Sequence, residues 1–160
     1  AAGQIEIDGF TLTGRVDRID RLRAGGAVII DYKSGGQYSE AGMMSGHHPQ
    51  LPLEGLMLER GGFPGVAAQK VQQLLYWRLS GGREAGRVSG LRDPQKTAAA
   101  IAAADRGLRA LIVRFRDPSV PYLCLPDPAR APAFNDYDHL ARIREWRVPD
   151  GDSDAGGDDE

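Results

Sequence analysis

Apolar and polar residues alternate from the first positions of the chain. Ile5 and Ile7 share one face of a short strand, and Asp8-Gly9 supplies a turn signal before Phe10. Phe10, Leu12 and Val16 keep an even phase, but the next apolar residues are Ile19 and Leu22. That change of phase predicts a bulge or bend near Asp17, a feature that re-aims side chains beside active sites. Arg23-Ala24-Gly25-Gly26 then separates two strand-like runs and predicts a hairpin. In the second run Val28, Ile30 and Tyr32 face one way, and Ile29, Asp31 and Lys33 the other. If Leu22 opposes Ala27, antiparallel counting sets Asp17 opposite Tyr32; one extra residue in the first strand sets it opposite Asp31.

Gly-rich polar sequence from Ser34 to Gly46 reads as a loop, and Pro49 to about Arg60 as a helix with Gln50 and Glu54 on one face. Gly61-Gly62-Phe63-Pro64-Gly65 ends that helix. Val66 to Leu79 contains the run Leu74-Leu75-Tyr76-Trp77, suited to a buried central strand, and Gly81 to Gly90 reads as another loop. Asp93-Pro94 opens the clearest helix, which stops before Asp117-Pro118. Val120 to Leu125 is a short extended piece, and Asp136 is placed to cap a last helix from Tyr137 to about Trp146. The predicted fold is α/β: a small mixed sheet made of a meander, a crossover helix and a returning strand, with helices packed against it.

The chain has 160 residues, 41% hydrophobic and 26% charged, the profile of one soluble globular domain. No run approaches the roughly 20 apolar residues of a membrane span, and the expected location is the cytoplasm. The formal net charge is −2. Six of the 22 acids lie in the tail from Asp150 to Glu160, so 20 bases face 16 acids before it, a balance of +4. That mild excess suits phosphate contacts. The expected division is a domain over 1–149 followed by an acidic, disordered tail over 150–160. Cys124 is the one cysteine, which excludes an intramolecular disulfide.

The chemistry gathers on the hairpin. Asp17, Asp31 and Lys33 converging at one end would offer carboxylate oxygens to a hard cation and a positive charge to a phosphoryl oxygen. Pairing alone leaves two readings open: a metal and phosphate site, or a surface hairpin with a salt bridge. Arg15, Arg18, Arg21 and Arg23 read as a solvated face pairing with Asp20 and others, and Tyr76 and Trp77 as core. His47 and His48 read as residues capping or preceding a helix. The chain has no GxxxxGK[ST] phosphate loop, no Cys/His zinc cluster and no Ser-His-Asp set.

GRVD at Gly14–Asp17, IIDYKSG at Ile29–Gly35 and a later helix carrying Gln50 together resemble the PD-(D/E)XK nuclease superfamily in its RecB-like branch. FNDYDHLARIREW, Phe134–Trp146, is similar to the C-terminal end of AddB-type helicase–nuclease subunits of the alphaproteobacterial kind. The resemblance implies a restriction-endonuclease-like core and metal-dependent hydrolysis of DNA, on single strands from an unwound duplex, during double-strand break repair beside an AddA-type partner subunit. It implies that Asp17, Asp31 and the Tyr32 carbonyl bind Mg²⁺ or Mn²⁺, that Lys33 positions or activates water, and that Gln50 supports the site. Glu54 stands where the family's Q-x-x-x-Y motif has tyrosine, so a site role is assigned to Gln50 alone. Many AddB proteins hold an iron–sulfur cluster on four cysteines; with Cys124 alone, none is expected here. The family core also begins with a helix that has no counterpart before Ala1. The alternative function is a catalytically inactive module of the same fold that binds DNA or scaffolds a helicase partner.

Overall fold

The computed structural model describes residues 1–81, 86–123, 126–127 and 140. The chain divides into two units, Ala1–Pro118 and Ser119–Glu160. All regular elements described lie in the first, and the described residues of the second carry no helix or strand. The expected helix from Tyr137 to Trp146, Cys124 and the acidic tail lie outside the described residues, save Leu140.

The first strands form a two-stranded ribbon. β1 (Ala2–Ile7) pairs antiparallel with β2 (Phe10–Arg15), with Ile7 opposite Phe10. Asp8 and Gly9 join them with φ of 51° and 75°, the doubly left-handed turn that suits strand twist. The chain then breaks at Val16-Asp17 before β3 (Arg18–Arg21) enters a different sheet. The phase change in the sequence is thus a strand passing from one sheet to another, pinned by Val16, which is buried.

The second sheet is mixed, in the order β3–β4–β5–β6. β4 (Ala27–Lys33) runs antiparallel to β3 and parallel to β5 (Val71–Arg78); β5 runs antiparallel to β6 (Arg87–Leu91). Between β4 and β5 the chain crosses over through α1 (Glu40–Met44) and α2 (Gln50–Glu59), and α3 (Pro94–Arg116) follows β6. This is the α/β arrangement expected, with two corrections. The polar stretch before Gly46 contains α1, because the Ser39 hydroxyl accepts from Gly42 N at 3.1 Å and caps a turn. The loop expected to end at Gly90 gives way at Arg87 to an edge strand, whose register with β5 brings Gly90 opposite Leu75.

The core lies mainly between the sheet and the helices. Ile29, Leu74 and Leu91 form one row across β4, β5 and β6, packed in the same cluster as Leu51, Met57, Ala100 and Ile101. Gly55 permits close approach of α2 and α3, since a Cβ there would lie 2.8 Å from Ile101 Cδ1. α2 also touches β1, β4 and β5, and so is buried on most sides, from Leu51 to Leu58. That burial decides the environment of any polar residue it carries. On the other sheet face Val28, Ile30 and Leu75 cluster with Leu22 and Trp77. α3 starts as expected, with the Asp93 carboxylate accepting from Gln95 N and Lys96 N. No described helix is long and apolar enough to cross a membrane.

Candidate active site

The site stands at the C-terminal end of β4, where the aliphatic run gives way to Asp31, Tyr32 and Lys33. Asp31 and Lys33 share a face by alternation, and the structure joins them: Lys33 Nζ lies 2.8 Å from Asp31 Oδ2. Asp31 is 4% exposed. Its other oxygen accepts from Gln50 Nε2 at 2.7 Å. Gln50 Oε1 in turn accepts from Lys33 Nζ at 2.9 Å. The three side chains therefore close a ring of contacts between the end of β4 and the first turn of α2. The ring also fixes the glutamine amide, whose oxygen faces an ammonium and whose nitrogen faces carboxylates.

The second hydrogen of Gln50 Nε2 reaches Glu54 Oε1 at 3.0 Å. Glu54 is the residue that sequence reasoning left out. It is 5% exposed, and its Oε2 has no hydrogen-bond partner among the described residues. Burial first, then the negative charges of Asp31 and Asp17, push its pKa up to about 7, against the opposing pull of the Gln50 hydrogen bond and the Lys33 charge. The signal was present in the i,i+4 spacing of Gln50 and Glu54 and in a lone acid inside an apolar helix. The missing piece was that α2 is enclosed on so many sides.

Asp17 is held differently. It sits in the break between β2 and β3, and its Oδ2 accepts from Tyr32 N at 3.0 Å. The observed register pairs Arg21 with Ala27 and Arg18 with Ile30, so Leu22 belongs to the turn, donating from N to Gly26 O. The simpler counting, with Leu22 opposite Ala27, is corrected by one residue. Continued one step, the true register sets Asp17 across from Asp31. Asp17 is exposed but near enough for its charge to raise the pKa of both Lys33 and Glu54.

Burial works against the Lys33 ammonium, but its hydrogen bond and charge contact with Asp31, with smaller help from Tyr38 and Asp17, hold its pKa above the ordinary lysine value. Lys33 thus stands beside Asp31 as a cation and hydrogen donor. Its Nζ lies 5.1 Å from the centre of the Tyr38 ring and 5.8 Å from that of Tyr76. Tyr76 is core, as read from sequence, and its hydroxyl titrates above the usual range because it is buried beside Asp31 and Glu54. His48 packs on Tyr38, ring centres 5.1 Å apart.

The hairpin arginines behave as a solvated face in the one case whose contacts are defined. Arg18 pairs with Asp20 at 2.8 Å and lies over Trp77, whose ring meets the edge of Tyr32.

Carboxylate oxygens of Asp17, Asp31 and Glu54 are the donor type hard divalent cations take; two of them are buried, Glu54 Oε2 with no partner among the described residues and Asp31 Oδ2 with the Lys33 ammonium alone. Among the described residues no three His, Cys, Asp or Glu side chains are already gathered tightly enough to form a cation cage. The donors fit such an ion in kind, and Lys33 holds the position of the positive charge beside Asp31.

The chain matches no curated protein and no solved structure. A family model described as the PD-(D/E)XK nuclease superfamily matches residues 2–127, which contain every element from β1 to α3 and the whole ring of contacts just described. The chain belongs to the PD-(D/E)XK nuclease superfamily.

Proposed function

We propose that the chain is a metal-dependent deoxyribonuclease module that hydrolyses phosphodiester bonds of DNA. The observation that carries this is the closed contact of Asp31, Lys33 and Gln50 at the end of β4, with Asp17 fastened to the next main-chain N–H. A hydrophobic-core strand that ends in a nearly buried carboxylate and a lysine has no structural need for both.

Asp17 and Asp31, with the main-chain carbonyl of Tyr32, would hold Mg²⁺ or Mn²⁺. Bound there, the ion supplies an activated water and a counter-charge for a phosphoryl oxygen. Lys33, kept protonated by Asp31, donates hydrogen bonds and so orients the attacking water or offsets charge developing on the phosphate. Gln50 keeps Lys33 and Asp31 in register, because its amide bonds both. Glu54 holds the far side of that amide. The wider setting we favour is an AddAB-type helicase–nuclease, with an AddA-type partner and single strands from an unwound duplex as substrate. The resemblance of Phe134–Trp146 to AddB-type subunits supports that setting.

The test is degradation of end-labelled single-stranded DNA with Mg²⁺, with Mn²⁺ and with EDTA, comparing the parent with Asp31→Ala and Lys33→Ala. Metal-dependent cutting that both folded variants lose supports the reading. No cutting by the parent with either ion, alone or with an AddA-type partner, or equal cutting by the variants, would overturn it in favour of a scaffold.

A further inference from the structure

The register of the central sheet lines up side chains in rows that cross β4, β5 and β6. Asp31 pairs with Tyr76 and Tyr76 with Ser89, next to the apolar row of Ile29, Leu74 and Leu91. One step further along, Lys33 pairs with Arg78 and Arg78 with Arg87. Paired positions share a face, so three cations stand side by side on three neighbouring strands, about 10 Å across at ordinary strand spacing. All three line one cleft of about 480 Å³.

Like charges directly opposite on neighbouring strands destabilise a sheet. Among the described residues no carboxylate forms an ion pair with Arg78 or Arg87. Glu40 also lines the cleft, but Lys96 engages it at 2.8 Å from α3. The opposite wall is Gly36–Glu40, held to β6 by the Ser89 hydroxyl, which donates to Tyr38 O at 2.9 Å. The cleft is therefore a built groove, with a cationic floor that starts at the Lys33 of the proposed active site and leads away from it to the sheet edge.

We infer that this row is the track of a single nucleic-acid strand, with Arg78 and Arg87 holding backbone phosphates on one side of the phosphate at Lys33. The inference rests on the nuclease reading for where the strand is cut, but not for whether it binds. The cation spacing suits a flexible polyanion that follows the sheet end. A cleft of about 480 Å³ has room for part of one strand and not for a duplex.

The experiment is equilibrium binding of a fluorescently labelled oligothymidylate to the full chain in EDTA, followed across salt concentration, so that no cleavage is needed. Arg78→Gln and Arg87→Gln are compared with Arg106→Gln on α3. Each substitution in the row is expected to weaken binding and to lower the salt slope by about 0.7, the loss of one phosphate contact. Arg106→Gln leaves both unchanged. Removing one of two opposed arginines should also leave the thermal midpoint unchanged or raise it, which separates lost contact from lost fold. An unchanged slope in both row variants, an equal loss in Arg106→Gln, or a slope change seen with duplex but not with single strands would overturn the track. A protein that never cuts DNA but shows the row effect would defeat the nuclease reading and leave this one standing.

Discussion

Asp31 and Asp17 are two carboxylates of the same proposed site, yet they are built in opposite ways. Asp31 ends a core strand, is almost fully buried, and is held by Lys33 at 2.8 Å and Gln50 at 2.7 Å. Asp17 sits in a break between strands, is exposed, and has one defined contact, from Tyr32 N at 3.0 Å. One half of the site belongs to the core and shares its stability. The other half is a solvent-facing group positioned by main chain alone. Function and stability should therefore be coupled at Asp31 and separable at Asp17.

The largest effect is expected from Asp31→Ala. It should abolish metal-dependent cutting and also destabilise the fold by about 1–3 kcal/mol, because Lys33 and Gln50 lose a buried partner. Denaturant unfolding alongside the cleavage assay reads both. Asp17→Ala should lose cutting as fully yet shift stability by no more than about 0.5 kcal/mol, as surface changes do. Equal destabilisation by the two would erase the contrast. Lys33→Ala should reduce kcat by roughly 10²–10³, the scale of a removed charge-stabilising donor. Smaller still, Gln50→Ala and Glu54→Ala should each cost about 10–100-fold, as for groups that orient a site. If Glu54→Ala leaves turnover unchanged, its bond to Gln50 does not position the amide.

The smallest effect concerns pH. The Glu54 pKa is raised from the ordinary 4.5 to about 7, so the folded chain binds this proton more tightly than the unfolded chain. Stability from this group is present below the unfolded value and is lost as pH rises towards 7. Burial drives most of that loss and the charges of Asp31 and Asp17 add to it, while the Gln50 hydrogen bond and the Lys33 charge oppose it. In metal-free buffer the thermal midpoint should fall between pH 5 and 8, and Glu54→Gln should flatten that fall.

Much of this was legible in the sequence because alternation and turn residues act locally. Ile29, Asp31 and Lys33 were placed on one strand face, and the phase change marked the break at Asp17. The helix of Gln50 and the capped helix at Asp93 also followed from short-range signals. The remainder depended on contacts between distant segments. The hairpin register turned on whether Leu22 joined the strand or the turn, a choice settled by its bond to Gly26. β6 was hidden because Arg87-Val88-Ser89-Gly90 has weak strand character by itself and is shaped by pairing with β5. Glu54 received no site role because it stands where the family motif has tyrosine, and nothing within one helix tells that two sheets and another helix enclose it.

The most direct measurement is titration of Mn²⁺ onto the parent chain, Asp31→Asn and Asp17→Asn in the absence of DNA, read by calorimetry or by the ion's magnetic resonance signal. Saturable binding by the parent is expected, weakened about tenfold or more by either substitution, with thermal stability kept in Asp17→Asn. Binding that is absent in the parent, or equally tight in all three proteins, would contradict the claim that these two carboxylates form a metal site.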